Sequence, residues 1–220
     1  MKNLFVALGQ HHVQNFENLI ENNLVVEGER ILLAGSGLIY DALKWDRVIK
    51  AEQSFNNNAD SAFSQVAAIN SKILSYKKML SHLSFLKNEP ITLYVCYIED
   101  VLTNYLFLSF GKNTQAVIVE DGTLNYYDHS LKNISRLKFL LKQTIAQTHG
   151  IPFKKYKGHS SGAEYKHVIS QFLTLPKHAF VQKNAKKLPM EKESLPNFSK
   201  SLYIIGQESY GTLLGQKFFE

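Results

Sequence analysis

Residues 91–119 read ITLYVCYIEDVLTNYLFLSFGKNTQAVIV. Ile91–Ile98 is rich in β-branched and aromatic residues and follows Pro90, which marks a strand. Val101–Phe110 has helical character and is stopped by Gly111. Ala116–Val119 is a second apolar strand. Strand, helix and strand in so short a span require a parallel crossover. Parallel strands are buried on both faces and read as unbroken apolar runs.

The same alternation extends in both directions. Leu4–Leu8 is an apolar run ended by Gly9. Val13, Phe16, Leu19, Ile20 and Leu24 mark a helix face. Arg30–Ala34 and Asp46–Lys50 are further strand candidates, and Gly35-Ser36-Gly37 reads as a turn. Ser61 to Leu86 is a long helical pattern. His129 to Thr148 is another, with Leu131, Ile134, Leu137, Leu141 and Ile145 on one face, stopped by Gly150 and Pro152. Tyr165–Leu173 reads as a shorter helix. The expected fold class is α/β: an open parallel sheet with helices on both faces. Residues 1–175 form the α/β domain. Residues 176–200, with three prolines and many lysines, read as a basic linker. Ser201–Gly206 is a fresh strand, and 201–220 is either the start of a second α/β domain or the last strand and helix of the first.

Composition narrows the function classes. The 220 residues carry a formal net charge of +6. The pI is about 9.2. This balance favours anionic partners such as sugar nucleotides or acidic lipid headgroups. The lysines between Lys154 and Lys200 make contact with an anionic membrane surface one expectation and a solvated face the other. Nucleic acid is not an expected partner, since zinc-finger and RRM signatures are absent and Arg136 is the one arginine beyond Arg47. No apolar run is long enough for a transmembrane helix. The N-terminal run is too short for a signal-peptide core. A lone cysteine, Cys96, excludes an internal disulfide and points to a reducing, cytoplasmic compartment. Mid-strand, Cys96 reads as a small core residue.

In open parallel sheets ligands sit at the carboxyl ends of the strands. The richest such end is AVIVEDGTLNYYDH, residues 116–129. Glu120 and Asp121 follow one another, so their side chains point in different directions. One faces the crevice while the other ties down the loop. Gly122 allows a tight turn and close approach of a ligand. A carboxylate at this edge is a candidate general base for a hydroxyl; the same residues also make an ordinary turn and helix cap. Gln10, His11 or His12, just past the first strand, can hydrogen-bond a ligand at the same edge. So can Glu99 or Asp100, unless they cap the next helix. Asn125, Tyr126 and Tyr127 follow the acidic pair, and the tyrosines either stack on a sugar or close the core. Adjacent His11-His12 apart, the histidines lack metal-ligand spacing, so no metal is expected.

Glu120-Asp121-Gly122, behind a hydrophobic strand and before a Tyr-containing stretch, resembles the acidic motif of bacterial sialyltransferases of the two-domain GT-B class. The likeness is to glycosyltransferase family 52, the lipooligosaccharide sialyltransferases, and to polysialyltransferase-like capsule enzymes. SLYIIGQ (201–207) likewise looks like the first strand of their donor-binding domain. The resemblance implies a Rossmann-like N-terminal half of a GT-B fold with most of the C-terminal half absent. It implies inverting transfer of sialic acid or a related acid sugar from a CMP-sugar donor to a cell-surface glycan acceptor, without a metal. By that likeness Asp121 is the general base. The family's His-Pro motif does not occur in this sequence, and its Ser-rich motif is not carried onto Ser160-Ser161. The chain alone is therefore expected to lack donor binding and turnover. Two other classes compete. A phospho-acceptor receiver would carry its acidic pair after the first strand, which here ends in Gly-Gln. A non-catalytic glycan-binding module or remnant of such an enzyme is the stronger alternative.

Overall fold

The computed structural model describes residues 1–52, 62–110, 113–130 and 136–189. Its centre is a seven-stranded sheet, and every strand pair is parallel. The strands are β1 (Lys2–Ala7), β2 (Glu29–Ala34), β3 (Arg47–Lys50), β4 (Ile91–Val95), β5 (Thr114–Val119), β6 (Val168–Leu173) and β7 (Ala185–Lys187). Their spatial order is β3-β2-β1-β4-β5-β6-β7. The chain builds outward from β1 in one direction, then returns to β4 and builds in the other. The switch point therefore lies between β1 and β4, where the crossovers diverge and a crevice opens.

Alternation along the strands divides the core in two. Leu4 and Val6 of β1, Ile31 and Leu33 of β2, and Leu93 and Val95 of β4 face one side. There they meet Ile73, Tyr76 and Met79 of α2 (Ala62–Ser81) and Leu102 and Leu106 of α3 (Val101–Leu108). Ala146 of α4 (Arg136–Thr148) joins the same face. Phe5, Leu32, Tyr94 and Val117 face the other side and meet Val13, Phe16 and Leu19 of α1 (Gln10–Glu21). Helices cover both faces, and Cys96 is buried with the second set.

Two expected elements differ. Val168–Leu173 is a strand between β5 and β7, not a helix. Tyr165, Val168, Ile169 and Phe172 fit a helical stripe by spacing alone, but β5 offers an unpaired edge, and VISQFL has the β-branched and aromatic character to fill it. His129 and Ser130 are not helical, and Ser130 is bridged to His159; residues 131–135 lie outside the described residues, and α4 is described over Arg136–Thr148. The stretch read as a linker contributes structure: Ala185–Lys187 pairs in parallel with β6. Lys183 and Lys187 donate to the main-chain carbonyls of Tyr165 and Thr174, and Lys186 lies over the Phe172 ring. The strand expected at Ser201–Gly206 lies outside the described residues. Among the described residues no helix is long and apolar enough to cross a membrane.

Candidate functional site

The carboxyl ends of β1, β4 and β5 surround a crevice of about 440 Å³. Leu8, Gly9, His11 and His12 come from the end of β1 and the start of α1. Tyr97, Glu99 and Asp100 follow β4, and Asp121, Leu124 and His129 follow β5. A larger hollow of about 750 Å³ sits around Gly28–Arg30 at the amino edge. Parallel sheets converge their loops for chemistry at the carboxyl edge, which makes the smaller crevice the candidate site.

Asp121 is its centre. His11 Nε2 lies 2.6 Å, and His12 Nε2 2.8 Å, from the same oxygen, Asp121 Oδ1. Both imidazoles thus converge on one oxygen, and among the described residues Oδ2 has no hydrogen-bond partner. The two histidines differ in exposure. The His11 side chain is 54% exposed and that of His12 only 3%. The Leu8 N–H donates to His12 Nδ1 at 3.1 Å. Nδ1 therefore carries no proton, and neutral His12 donates its Nε2–H to Asp121. Gly9 sits close beside them: a Cβ there would lie 2.9 Å from His11 Cε1.

The Asp121 backbone is also fixed. Its N–H donates to Asn125 Oδ1 at 2.9 Å. The preceding carbonyl, of Glu120, accepts from Asn15 Nδ2 at 3.1 Å. Gly122 takes φ +58, a left-handed conformation that starts the turn Gly122–Tyr126 and favours glycine.

The electrostatics follow from this geometry. Burial acts to raise the Asp121 pKa, but the hydrogen bonds from His11 and His12 and their charge outweigh it. The carboxyl is held well below its ordinary range. For His12, burial lowers the pKa and outweighs the pull of Asp121. The pair is a neutral imidazole donating to a carboxylate. Burial, then the charges of Asp100 and Asp121, raise the Tyr97 hydroxyl.

This sets a pH dependence. Unfolded, His12 titrates near ~6.5 and Asp121 near ~3.9; folded, both bind protons less readily. The stability each contributes is complete above its unfolded pKa and is lost as pH falls through the folded one. Wild-type stability should decline from about pH 6.5 downward, by at most ~1.4 kcal/mol per pH unit per proton. Urea midpoints at pH 7.5, 6.5 and 5.5 check this, with His12→Gln expected to show a shallower slope. Equal slopes in the two proteins would refute a buried neutral His12.

His11, His12 and Asp121 also bring potential metal ligands within 4.8 Å of one another. The donor chemistry does not suit a metal. A ligating histidine offers one nitrogen lone pair and donates its other N–H to an acceptor. His12 would have to ligate through Nε2, but its Nδ1 faces the Leu8 N–H, itself a donor. Stoichiometric zinc is expected to leave the thermal midpoint within 1 °C or so of the metal-free value, since binding would need that bond broken. A rise of several degrees, abolished by His12→Gln, would overturn this.

The other expected site residues are placed as follows. Glu120 and Asp121 do point apart. Glu120 Oε2 accepts from the Tyr126 hydroxyl at 2.5 Å and from the Thr174 N–H. The Leu175 N–H donates to the same Tyr126 hydroxyl at 3.0 Å. Burial and the bond to Glu120 push the Tyr126 pKa up to about 12. Tyr126 thus ties β5 to β6. Asn125 is buried, and its Oδ1 braces the Asp121 main chain. Both polar atoms of Gln10 are taken by the Ile39 backbone, at 2.8 and 2.9 Å. Asp100 caps α3 by accepting from the Leu102 N–H, and pairs with Tyr76 and Lys72. Glu99 remains a crevice residue. Asn15, His129 and Ser160 complete the site and carry no sequence signal of their own.

In the comparisons with known proteins, no family model matches the chain and no curated protein matches it.

Proposed function

We propose that the chain is the acceptor-side α/β half of an inverting, sialyltransferase-like glycosyltransferase, with Asp121 as the group that deprotonates the acceptor hydroxyl. The observation that carries this reading is the Asp121 carboxylate at the switch-point crevice, held on Oδ1 by two histidines and without a partner on Oδ2 among the described residues. In the reaction the acceptor O–H bond breaks and its proton passes to Oδ2. The oxygen attacks the anomeric carbon of a CMP-activated acid sugar. The bond from that carbon to the phosphate oxygen breaks, and CMP leaves with the electron pair. One displacement inverts the configuration.

A carboxyl with so low a pKa is a weak base at rest. The exposed His11 supplies the remedy: displaced from Oδ1 when the acceptor binds at Oδ2, it leaves Asp121 one donor poorer, and the basicity of the carboxylate rises. The same low pKa favours a second reading, a non-catalytic glycan-binding module, in which Asp121 only accepts hydrogen bonds. CMP release from CMP-sialic acid with galactose-terminated acceptors tests the first reading in the full-length protein. Turnover supports the transferase; acceptor binding without turnover supports the module.

A further inference from the structure

A second histidine of the crevice has its ring chemistry set by a buried neighbour. Ser160 is fully buried. Its carbonyl accepts from the Ile98 N–H at 2.8 Å, just past β4, and its N–H donates to the His129 carbonyl at 3.0 Å. Its Oγ lies 3.0 Å from His129 Nδ1. Among the described residues Nδ1 is the acceptor within reach of that hydroxyl, and a buried donor left unpaired is costly. The Ser160 O–H therefore donates to Nδ1. The neutral His129 ring must then carry its proton on Nε2. His129 lines the crevice with Asp121, so the lining that holds the carboxylate also holds a ring N–H.

We propose that His129 Nε2–H, set by Ser160 as a positioning residue, is a ligand donor that works with Asp121, and that the crevice takes a neutral polyhydroxylated ligand. This rests on reading the crevice as an acceptor site and names what it accepts. A hydroxyl donates to Asp121 Oδ2 and accepts from a neighbouring donor. Glu99, Asp100 and Asp121 disfavour an anion, and Lys72 already pairs with Asp100 at 3.0 Å. A cation would leave the His129 N–H unused. Lys142, on the α4 side, leaves the carboxylates in excess.

Nitrogen-15 NMR of the histidine rings at pH 7.5 tests the arrangement without any reaction. His129 should be the Nε2–H tautomer in the wild type and a mixture in Ser160→Ala. An Nδ1–H ring in the wild type overturns the assignment. Lactose and inorganic phosphate are then titrated while the His129 ring is followed. Lactose should shift it and phosphate should not. His129→Ala should weaken lactose binding about tenfold, the loss of one hydrogen bond. His129→Gln, whose amide can place an N–H near the same point, should keep most of it. A phosphate response with lactose silent, or full lactose affinity in His129→Ala, overturns the proposal. Transfer activity is measured separately. Lactose binding through His129 with no turnover strikes the transferase reading alone.

Discussion

In an enzyme that also holds the donor-binding half, Asp121→Asn is expected to lower transfer from CMP-sialic acid to a galactose-terminated acceptor by ~10²–10⁴-fold, the usual contribution of a positioned general base. The substitution is conservative where structure is concerned. Asn keeps an oxygen that can accept from His11 and His12, now at 2.6 and 2.8 Å from Oδ1. Its N–H can still donate to Asn125 Oδ1. What changes is the second atom, from an oxygen that takes a proton to an NH2 that only donates. The loss should therefore fall on kcat, with KM for the acceptor moving little. His12 gives an internal check. The negative charge of Asp121 raises its pKa against the larger effect of burial, so removing that charge should lower it further. A variant with full activity and a shifted His12 would show that the site is intact and that Asp121 is a turn residue.

How much of this was legible in the sequence depends on where the contacts come from. Parallel strands buried on both faces show as apolar runs, so β1, β2, β4 and β5 stand out in LFVA, ILLA, ITLYV and AVIV. Strand β7 reads AKK, three residues at a sheet edge, and has no apolar pattern to find. β6 has a stripe that suits either period, and its partner edge decides. At the site, the opposed directions of Glu120 and Asp121 follow from alternation alone. Asp121 stands out as a carboxylate at a strand end. Its bond to His11 spans 110 residues and exists because β4 alone separates β1 from β5 in the sheet. No local pattern reports that neighbourhood. The partners of Tyr126 and Gln10 are hidden for a related reason. Half-buried Tyr126 bonds the Glu120 side chain and the Leu175 N–H, and exposed Gln10 bonds the Ile39 main chain, all partners that no local pattern reports.

The largest loss of stability should come from Phe5→Ala, because Phe5 joins the sheet to the helix that carries both site histidines. Phe5 is fully buried. Its ring stacks on Tyr94 at 4.2 Å and meets Trp45 and Phe16 edge-on at 5.1 and 5.4 Å. Phe16 belongs to α1, one turn beyond His12. Removing a buried Phe ring costs about 3–5 kcal/mol through lost transfer energy and the cavity that remains. Three aromatic neighbours in stacked or edge-on geometry place this site toward the upper end. Against a typical total of ~5–15 kcal/mol, that loss brings the domain close to unfolding. Urea denaturation of the wild type, Phe5→Leu and Phe5→Ala should give midpoints falling in that order at a constant m-value. The effect should reach the crevice as well. With Phe16 no longer seated, α1 loses its anchor, and the 2.8 Å bond from His12 to Asp121 should lengthen, which raises the Asp121 pKa toward its ordinary range. A loss below about 1 kcal/mol with the carboxyl still depressed would mean that the loop and its hydrogen bonds hold the site, not the aromatic cluster beneath α1.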